Sequence, residues 1–179
     1  MAGIEDRHRR LVVDGRPVAT GVVAAGDAWA CTNPSLGRGA SMAMIHARLL
    51  RDLLRQTGPE EHEKFARRFD EVTTQVLEPL YRDTLGYDRH RLAEIDADIA
   101  GTPYRTPDRG WWMAKALSAA AQQDQDLDRA QAAIGSFLAT PDEVFGTPGT
   151  VARVTALGMA APRYPLPGPD RAELLAAID

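Results

Sequence analysis

The stretch from Gly21 to Leu50 constrains the fold of this 179-residue chain more than any other part of it. It begins with a short apolar run, Val22 to Ala25, of the kind that forms a buried strand. Gly26-Asp27 ends that run with a carboxylate, and the loop from Asn33 to Gly39 is rich in glycine and proline. A helix is predicted directly after the loop. The stretch therefore predicts a strand, a polar turn, an open loop and a helix in unbroken succession.

This order of elements is typical of a ligand site. Open α/β sheets bind ligands at the carboxyl ends of their strands, which is where Asp27 is expected. The first turn of a helix presents unpaired N–H groups and a partial positive charge, and the helix predicted from about Ala40 follows the loop directly. Such a helix start favours an electron-rich or anionic group of a ligand.

The spacing of these residues resembles the second flavin-contacting motif of FAD-dependent oxidoreductases. It is similar to the motif of flavin-dependent aromatic hydroxylases, flavin halogenases and geranylgeranyl-reductase-like enzymes. Pro34 lies seven positions after Asp27. The resemblance implies that Asp27 hydrogen-bonds the ribityl chain of FAD, that the loop lies along the isoalloxazine ring, and that the chemistry is monooxygenase-like. It implies no catalytic residue, and the cofactor-binding residues that it implies are Gly26, Asp27, Pro34, Gly37, Arg38 and Gly39.

The chain departs from the family pattern in two ways. The hydroxylases commonly carry histidine where this chain has Ala30, and often Asp or Asn where it has His46, so the loop is closer to the reductase and halogenase forms. The glycine fingerprint G-x-G-x-x-G, which holds the pyrophosphate of FAD, is missing from the sequence. We therefore interpret the chain as the carboxyl-terminal part of an FAD-dependent oxidoreductase. Its expected partners are FAD, an unidentified small-molecule substrate and an upstream FAD-binding half.

A second interpretation is a non-catalytic helical binding or interaction module derived from a flavoenzyme. Long helical segments and the missing pyrophosphate site favour it. Such a module would bind an apolar ligand or a partner chain through side chains that the sequence places on helix faces, namely Phe65, Phe69, Val72 and Trp111.

Composition excludes several other classes. The net charge of −4 and the pI of about 5.6 argue against nucleic acid as a partner. The sequence contains no run of ~20 apolar residues for a membrane span and no signal-peptide core, so we expect no membrane partner and a cytoplasmic location. Cys31 is the single cysteine, which excludes an internal disulfide. The spacing of the histidines predicts no metal site.

Hydrophobic periodicity predicts an α+β fold that is mostly α, in which about three strands of an incomplete FAD-binding sheet precede a helical carboxyl-terminal region. Asp14-Gly15 predicts a hairpin between the first two strands, Leu11–Val13 and Pro17–Ala19, and Val22–Ala25 is the third. The predicted domains are a partial FAD-binding segment at 1–58, a helical domain at 59–161, and a proline-rich linker with a last helix at 162–179. The predicted helices span about 40–56, 60–78, 88–100, 107–138 either continuous or broken near Gln123, 141–145, 148–157 and 169–178.

Several side chains have a structural interpretation beside the functional one. Asp27 could cap its own turn instead of binding a ligand. Arg38 could contact a flavin carbonyl or a substrate carboxylate, or it could simply face solvent. His46 lies on the apolar side of its helix, which favours a packing role over acid–base chemistry. Cys31 is expected to be inert. Trp29, Trp111 and Trp112 are expected to pack in the core more than to stack on a ligand.

Overall fold

The computed structural model describes residues 6–58, 60–159 and 171–178. The chain is mostly helical, at 64%, with 5% in short antiparallel strands, which confirms the predicted α+β, mostly α class. The chain divides into two compact units, Met1–Arg105 and Thr106–Asp179. The first unit contains all the described strands and the candidate site, and the second is built from helices. The predicted linker at 162–169 lies outside the described residues.

The strands form two small antiparallel pairs. Strand β1 (Arg7–His8) pairs with β4 (Ala30–Cys31), and β2 (Val12–Val13) pairs with β3 (Arg16–Pro17). Asp14 and Gly15 connect β2 to β3 with φ angles of 49° and 72°, the positive values that a tight hairpin turn requires. The predicted hairpin is therefore confirmed.

The prediction of a third strand is wrong. Val22–Ala25 is not a strand, because it forms no hydrogen-bonded ladder with any other described segment. Val22 is 54% exposed. The pair of β1 and β4 was not predicted, since a two-residue strand with a polar sequence such as Arg7-His8 leaves no alternating pattern to detect.

The helices agree with the predicted ones except at one start. Helix α3 begins at Glu78 instead of near Asp88, and Pro79 lies in its first turn. An N–H at that position would have no partner within the helix, so proline, which lacks the N–H, costs the helix no hydrogen bond there. The proline therefore separates two consecutive helices, and the predicted end of the preceding helix near Glu78 is two residues late. None of the described helices has the length and apolar character needed to traverse a lipid bilayer. The helices are α1 Gly39–Leu54, α2 His62–Val76, α3 Glu78–Ile99, α4 Arg109–Ala121, α5 Gln125–Gly135, α6 Pro141–Gly146, α7 Thr150–Gly158 and α8 Arg171–Ala176.

The core of the first unit is formed where α1, α2 and the start of α3 meet the strands. Leu77, in the turn between α2 and α3, is completely buried, and Phe69 and Tyr81 on either side of it are 4% and 5% exposed. Polar side chains are buried among these apolar ones, chiefly His46 and Thr73. This core packs beneath the residues of the candidate site and keeps them in position.

The second unit has a separate core made by α4, α5 and α7. Its buried side chains are Ala116, Leu117, Ala120, Leu127 and Val154. The Asp108 carboxylate caps α4 by accepting the N–H groups of Gly110 and Trp111 at 2.8 and 3.2 Å. Asp124 caps α5 in the same way, so the chain takes the broken one of the two alternatives left open near Gln123.

Helices α4 and α7 approach each other so closely that only glycine fits at the contact. A Cβ atom added to Gly158 would lie 1.9 Å from the carbonyl oxygen of Ala116. That distance is far inside van der Waals contact, and the obstructing atom belongs to the backbone of a helix. The close approach lets Val154, one turn earlier on α7, become fully buried.

We predict that Gly158→Ala lowers the free energy of unfolding by about 2–3 kcal/mol, because the two helices must separate to admit the methyl group. Urea denaturation followed by circular dichroism measures the loss. Gly135→Ala in α5 is the matched control, since a Cβ there meets no described atom within 4 Å. Alanine also favours the helix there, so the control should be as stable as the parent or more so. Equal stability of the two variants would contradict the close approach.

Candidate functional site

Gly26–Ala28 forms a short 3-10 turn directly after the extended segment Val22–Ala25. The Asp27 side chain on this turn is exposed, and it makes no hydrogen bond or ion pair with another described residue. The Asx-turn that could have explained this aspartate is therefore not formed within the described part of the chain. The carboxylate remains available to a ligand.

The turn is held against the first half of α1. Gly26 has a φ of 57°, and a Cβ built on it would lie 3.5 Å from the Cβ of Ala43. The Gly26 N–H donates to Nδ1 of His46 at 3.2 Å. Asp27 and Gly39, the first residue of α1, consequently border the same narrow crevice of about 10 Å³. The structure thus places Asp27 beside Gly39 at the start of the helix.

His46 is the residue that fixes this arrangement. Because Nδ1 accepts the Gly26 N–H, the neutral ring carries its proton on Nε2, which donates to Oγ1 of Thr73 on α2 at 3.0 Å. The side chain is 1% exposed, and both ring nitrogens are satisfied. The packing interpretation of His46 is confirmed.

Aromatic rings surround His46. The Phe69 ring stacks on it with centroids 4.8 Å apart at 13°, and the Trp29 ring meets it edge-on at 5.4 Å. Burial lowers the pKa of His46 to about 4. The imidazole is therefore neutral at physiological pH, and because it is buried with both nitrogens paired, it cannot reach a substrate as an acid–base catalyst must. Trp29 is 6% exposed, which confirms its predicted place in the core.

The loop that follows β4 ends in an open helix start. Gly37 adopts a φ of 66°, which glycine tolerates at no steric cost. Helix α1 has no side-chain cap, and the first amide of the helix with a partner is that of Met42, which donates to the Arg38 carbonyl at 3.0 Å. The N–H groups of Gly39, Ala40 and Ser41 have no hydrogen-bond partner among the described residues. They supply the donors that the sequence predicts at this position.

Arg38 does not simply face solvent, which was one of its two predicted courses. Its side chain is 11% exposed, and its guanidinium lies 3.1 Å from a carboxylate oxygen of Asp83 on α3. The ion pair connects the loop to a helix that the sequence places far away. Nothing in the local sequence around Arg38 indicates this partner, because Asp83 lies on what looks like an ordinary solvated helix face.

The six predicted site residues lie at or near the surface. Asp27, Pro34 and Gly37 are exposed, and Gly26, Arg38 and Gly39 are half-buried. The crevice between the turn and α1, at about 10 Å³, has room for one water molecule at most, so a ring system would have to lie on the exposed side of the turn and loop. The described residues include no group of three or more His, Cys, Asp or Glu side chains that could hold a metal ion. Cys31 is a free thiol, half-buried on β4.

Thr73 is the residue of this region that sequence reasoning missed. It lies on the apolar stripe of α2 and is 2% exposed, a burial that threonine accepts when its hydroxyl is paired. The sequence contained two signals: Thr73 is a polar residue on an apolar helix face, and His46 is a polar residue on the apolar face of the neighbouring helix. Each was noticeable alone, but only the fold shows that they meet.

The chain matches no family model, no curated protein and no solved structure. A functional assignment therefore depends on the residues and their geometry. The most informative features are the free carboxylate of Asp27, the free amides at the start of α1, and the buried histidine that holds the two together.

We predict that His46 makes stability depend on pH. The unfolded chain takes up a proton near pH 6.5, whereas the folded chain does so only near pH 4, so the contribution is complete above about pH 6.5 and is lost as pH falls towards 4. The shift corresponds to about 3 kcal/mol. Gln in place of His46 keeps an acceptor and a donor but cannot titrate. Denaturant unfolding between pH 7 and 4 should therefore show a smaller fall for His46→Gln than for the parent.

His62→Gln is the control for this measurement, because His62 is exposed at the start of α2. It should keep the pH dependence of the parent. The same slope in the parent and in His46→Gln would contradict a neutral, buried His46.

Proposed function

We propose that this chain supplies the ribityl- and isoalloxazine-contacting segment of an FAD-dependent oxidoreductase of monooxygenase-like type, working in the cytoplasm. One observation carries the proposal. Asp27, whose carboxylate is unpaired, and Gly39, whose amide at the start of α1 is unpaired, border the same crevice, and they follow one another along the chain in the order that the flavin motif implies. Acceptor and donors are thus placed together with no partner among the described residues.

The carboxylate of Asp27 and the amides at the start of α1 would bind different parts of the flavin. An ionised carboxylate is a strong acceptor for the hydroxyls of a sugar-alcohol chain, and charged hydrogen bonds of this kind contribute about 1.5–3 kcal/mol. The amides of Gly39, Ala40 and Ser41 suit the electron-rich pyrimidine edge of a flavin. The partial positive charge of the helix start also favours a ligand that gains negative charge on reduction. When bound, FAD supplies the redox chemistry, while these residues orient it.

The glycines leave room for a flat ligand. A Cβ atom built on Gly37 or Gly39 would meet no described atom within 4 Å, so the loop presents bare backbone to an open side. A ring could therefore approach the backbone closely without displacing a side chain. Asp83 competes for Arg38, so we assign this arginine the role of holding the loop on α3 and only secondarily that of contacting the ring.

The pyrophosphate of FAD needs a site elsewhere. The sequence has no G-x-G-x-x-G fingerprint, and the proposal assigns the residues at the start of α1 to the isoalloxazine ring and not to the pyrophosphate. An upstream FAD-binding half is accordingly the partner that the proposal requires, together with an unidentified small-molecule substrate. The catalytic residues are unknown.

A non-catalytic interaction module is the second candidate, and one observation favours it. Leu92, Ile95 and Ile99 form a stripe on α3 at helical spacing and are 58%, 42% and 81% exposed. Phe69 and Trp111, two of the residues predicted to form the binding face of such a module, are each 4% exposed. A partner would therefore meet the α3 stripe instead of the predicted set.

We predict that riboflavin and FAD shift the backbone amide NMR signals of Gly26, Asp27 and Gly39 in the isotopically labelled chain, whereas ADP, which lacks the ring and the ribityl chain, does not. Mapping signals residue by residue tolerates the weak binding expected without a pyrophosphate site. Asp27→Asn should raise the Kd for riboflavin by about ten- to a hundredfold, because it removes a charged hydrogen bond.

Asp14→Asn is the matched control, since Asp14 is also an exposed turn aspartate of the first unit, and asparagine tolerates its φ of 49°. It should leave the riboflavin affinity unchanged. Shifts confined to other residues, or equal affinities for parent and Asp27→Asn, would contradict the assignment. Shifts that cluster on α3 would favour the interaction module.

A further inference from the structure

The segment Val22–Ala25 follows a bend at Gly21, whose φ is 79°, and it has unmet hydrogen-bonding capacity. The N–H and C=O groups of Val22, Val23 and Ala24 make no hydrogen bond with any described residue. Val23 and Ala24 are nevertheless half-buried. Backbone polar groups that are shielded from water are nearly always paired, so this segment has the character of a sheet edge without its neighbour.

An apolar groove runs beside this segment. It has a volume of about 560 Å³ and is lined by ten residues from the extended segment, from α1 and from the start of α2. Leu50 and Leu54 of α1 and Phe65 and Ala66 of α2 form its far wall. A strand can be added where unpaired backbone and side-chain pockets are available together, and this groove has unpaired backbone on one side and apolar side chains on the other.

The edge also lacks the protection that exposed sheet edges carry. Natural edges are blunted by lysine, by other charges or by proline within the strand. The sequence from Val18 to Gly26 contains neither a charged residue nor a proline. An uncharged edge beside an apolar groove is complementary to an uncharged, apolar strand.

We propose that the groove receives an extended apolar strand from a partner polypeptide, which pairs its backbone with Val22–Ala24 and places alternate side chains between α1 and α2. The size of the groove favours a single strand over a second folded copy of this chain. A stable interface between folded proteins takes about 20–30 residues a side, whereas ten residues line this groove. A strand of about five or six residues matches it. The groove shares no lining residue with the candidate flavin site, so the two proposals stand or fall separately.

The test uses the whole chain and a short synthetic peptide of alternating valine and threonine, flanked by lysines for solubility. The control peptide has the same side chains but is N-methylated at alternate residues, so that it cannot pair along one edge. We expect saturable binding of the first peptide and exchange at least about tenfold slower at amides of Val22–Ala24. We also expect an affinity at least about tenfold weaker for the methylated peptide, because several backbone hydrogen bonds are lost.

Two substitutions on α1 locate the binding. Leu54 lines the groove and is 59% exposed, so Leu54→Glu should place a charge in the groove without unfolding the helix and weaken peptide binding by about tenfold or more. Met44 on the same helix is 75% exposed and lies outside the groove, so Met44→Glu should bind like the parent.

Three results would overturn the proposal. The first is no saturable binding of the unmethylated peptide. The second is equal binding of both peptides, which would make the groove a pocket for apolar ligands and not a strand edge. The third is dimerisation of the chain alone in analytical ultracentrifugation with the Val22–Ala24 amides already protected, which would make a second copy the occupant.

Discussion

The hydrogen bond from Gly26 to His46 is the interaction on which the candidate site depends. It joins the aspartate turn to α1, and the second nitrogen of the same ring joins α1 to Thr73 of α2 at 3.0 Å. Phe69 and Trp29 exclude water from this bridge, so that burial keeps the ring neutral. A neutral histidine can accept from one side and donate to the other, which a charged one cannot. The position of Asp27 is therefore set by a buried residue that no ligand touches.

The site combines a rigid interior with free polar groups outside. The interior satisfies His46 completely, whereas Asp27 and the amides at the start of α1 have no partner among the described residues. Free polar groups on a supported surface are the usual design of a binding site, because ligand contacts then require little rearrangement. The same contrast holds at Val22–Ala24, where backbone groups are free beside an apolar groove. These two places are where the first unit most clearly lacks neighbours.

Local signals in the sequence predicted the features that local interactions decide. Asp14-Gly15 predicted the hairpin, because a tight turn needs only a few adjacent residues. A break near Gln123 was one of two alternatives, and the local cap Asp124 decides between them. The prediction failed where distant residues decide. Val22–Ala25 has the composition of a strand but no described neighbour, and the Arg38–Asp83 ion pair joins residues that share no local pattern. The flavin site itself stays a prediction.

The contact between α4 and α7 has a bearing on how relatives of this chain could be found. With the Ala116 carbonyl 1.9 Å from where a side chain would start, position 158 admits no residue larger than glycine while these helices cross as they do. Sequence drift can change most of the surface of the second unit, but it cannot change this position alone. A glycine aligned with Gly158, nine residues after the glycine that precedes α7, would therefore identify a distant homologue that retains the same helix crossing even when overall identity has faded.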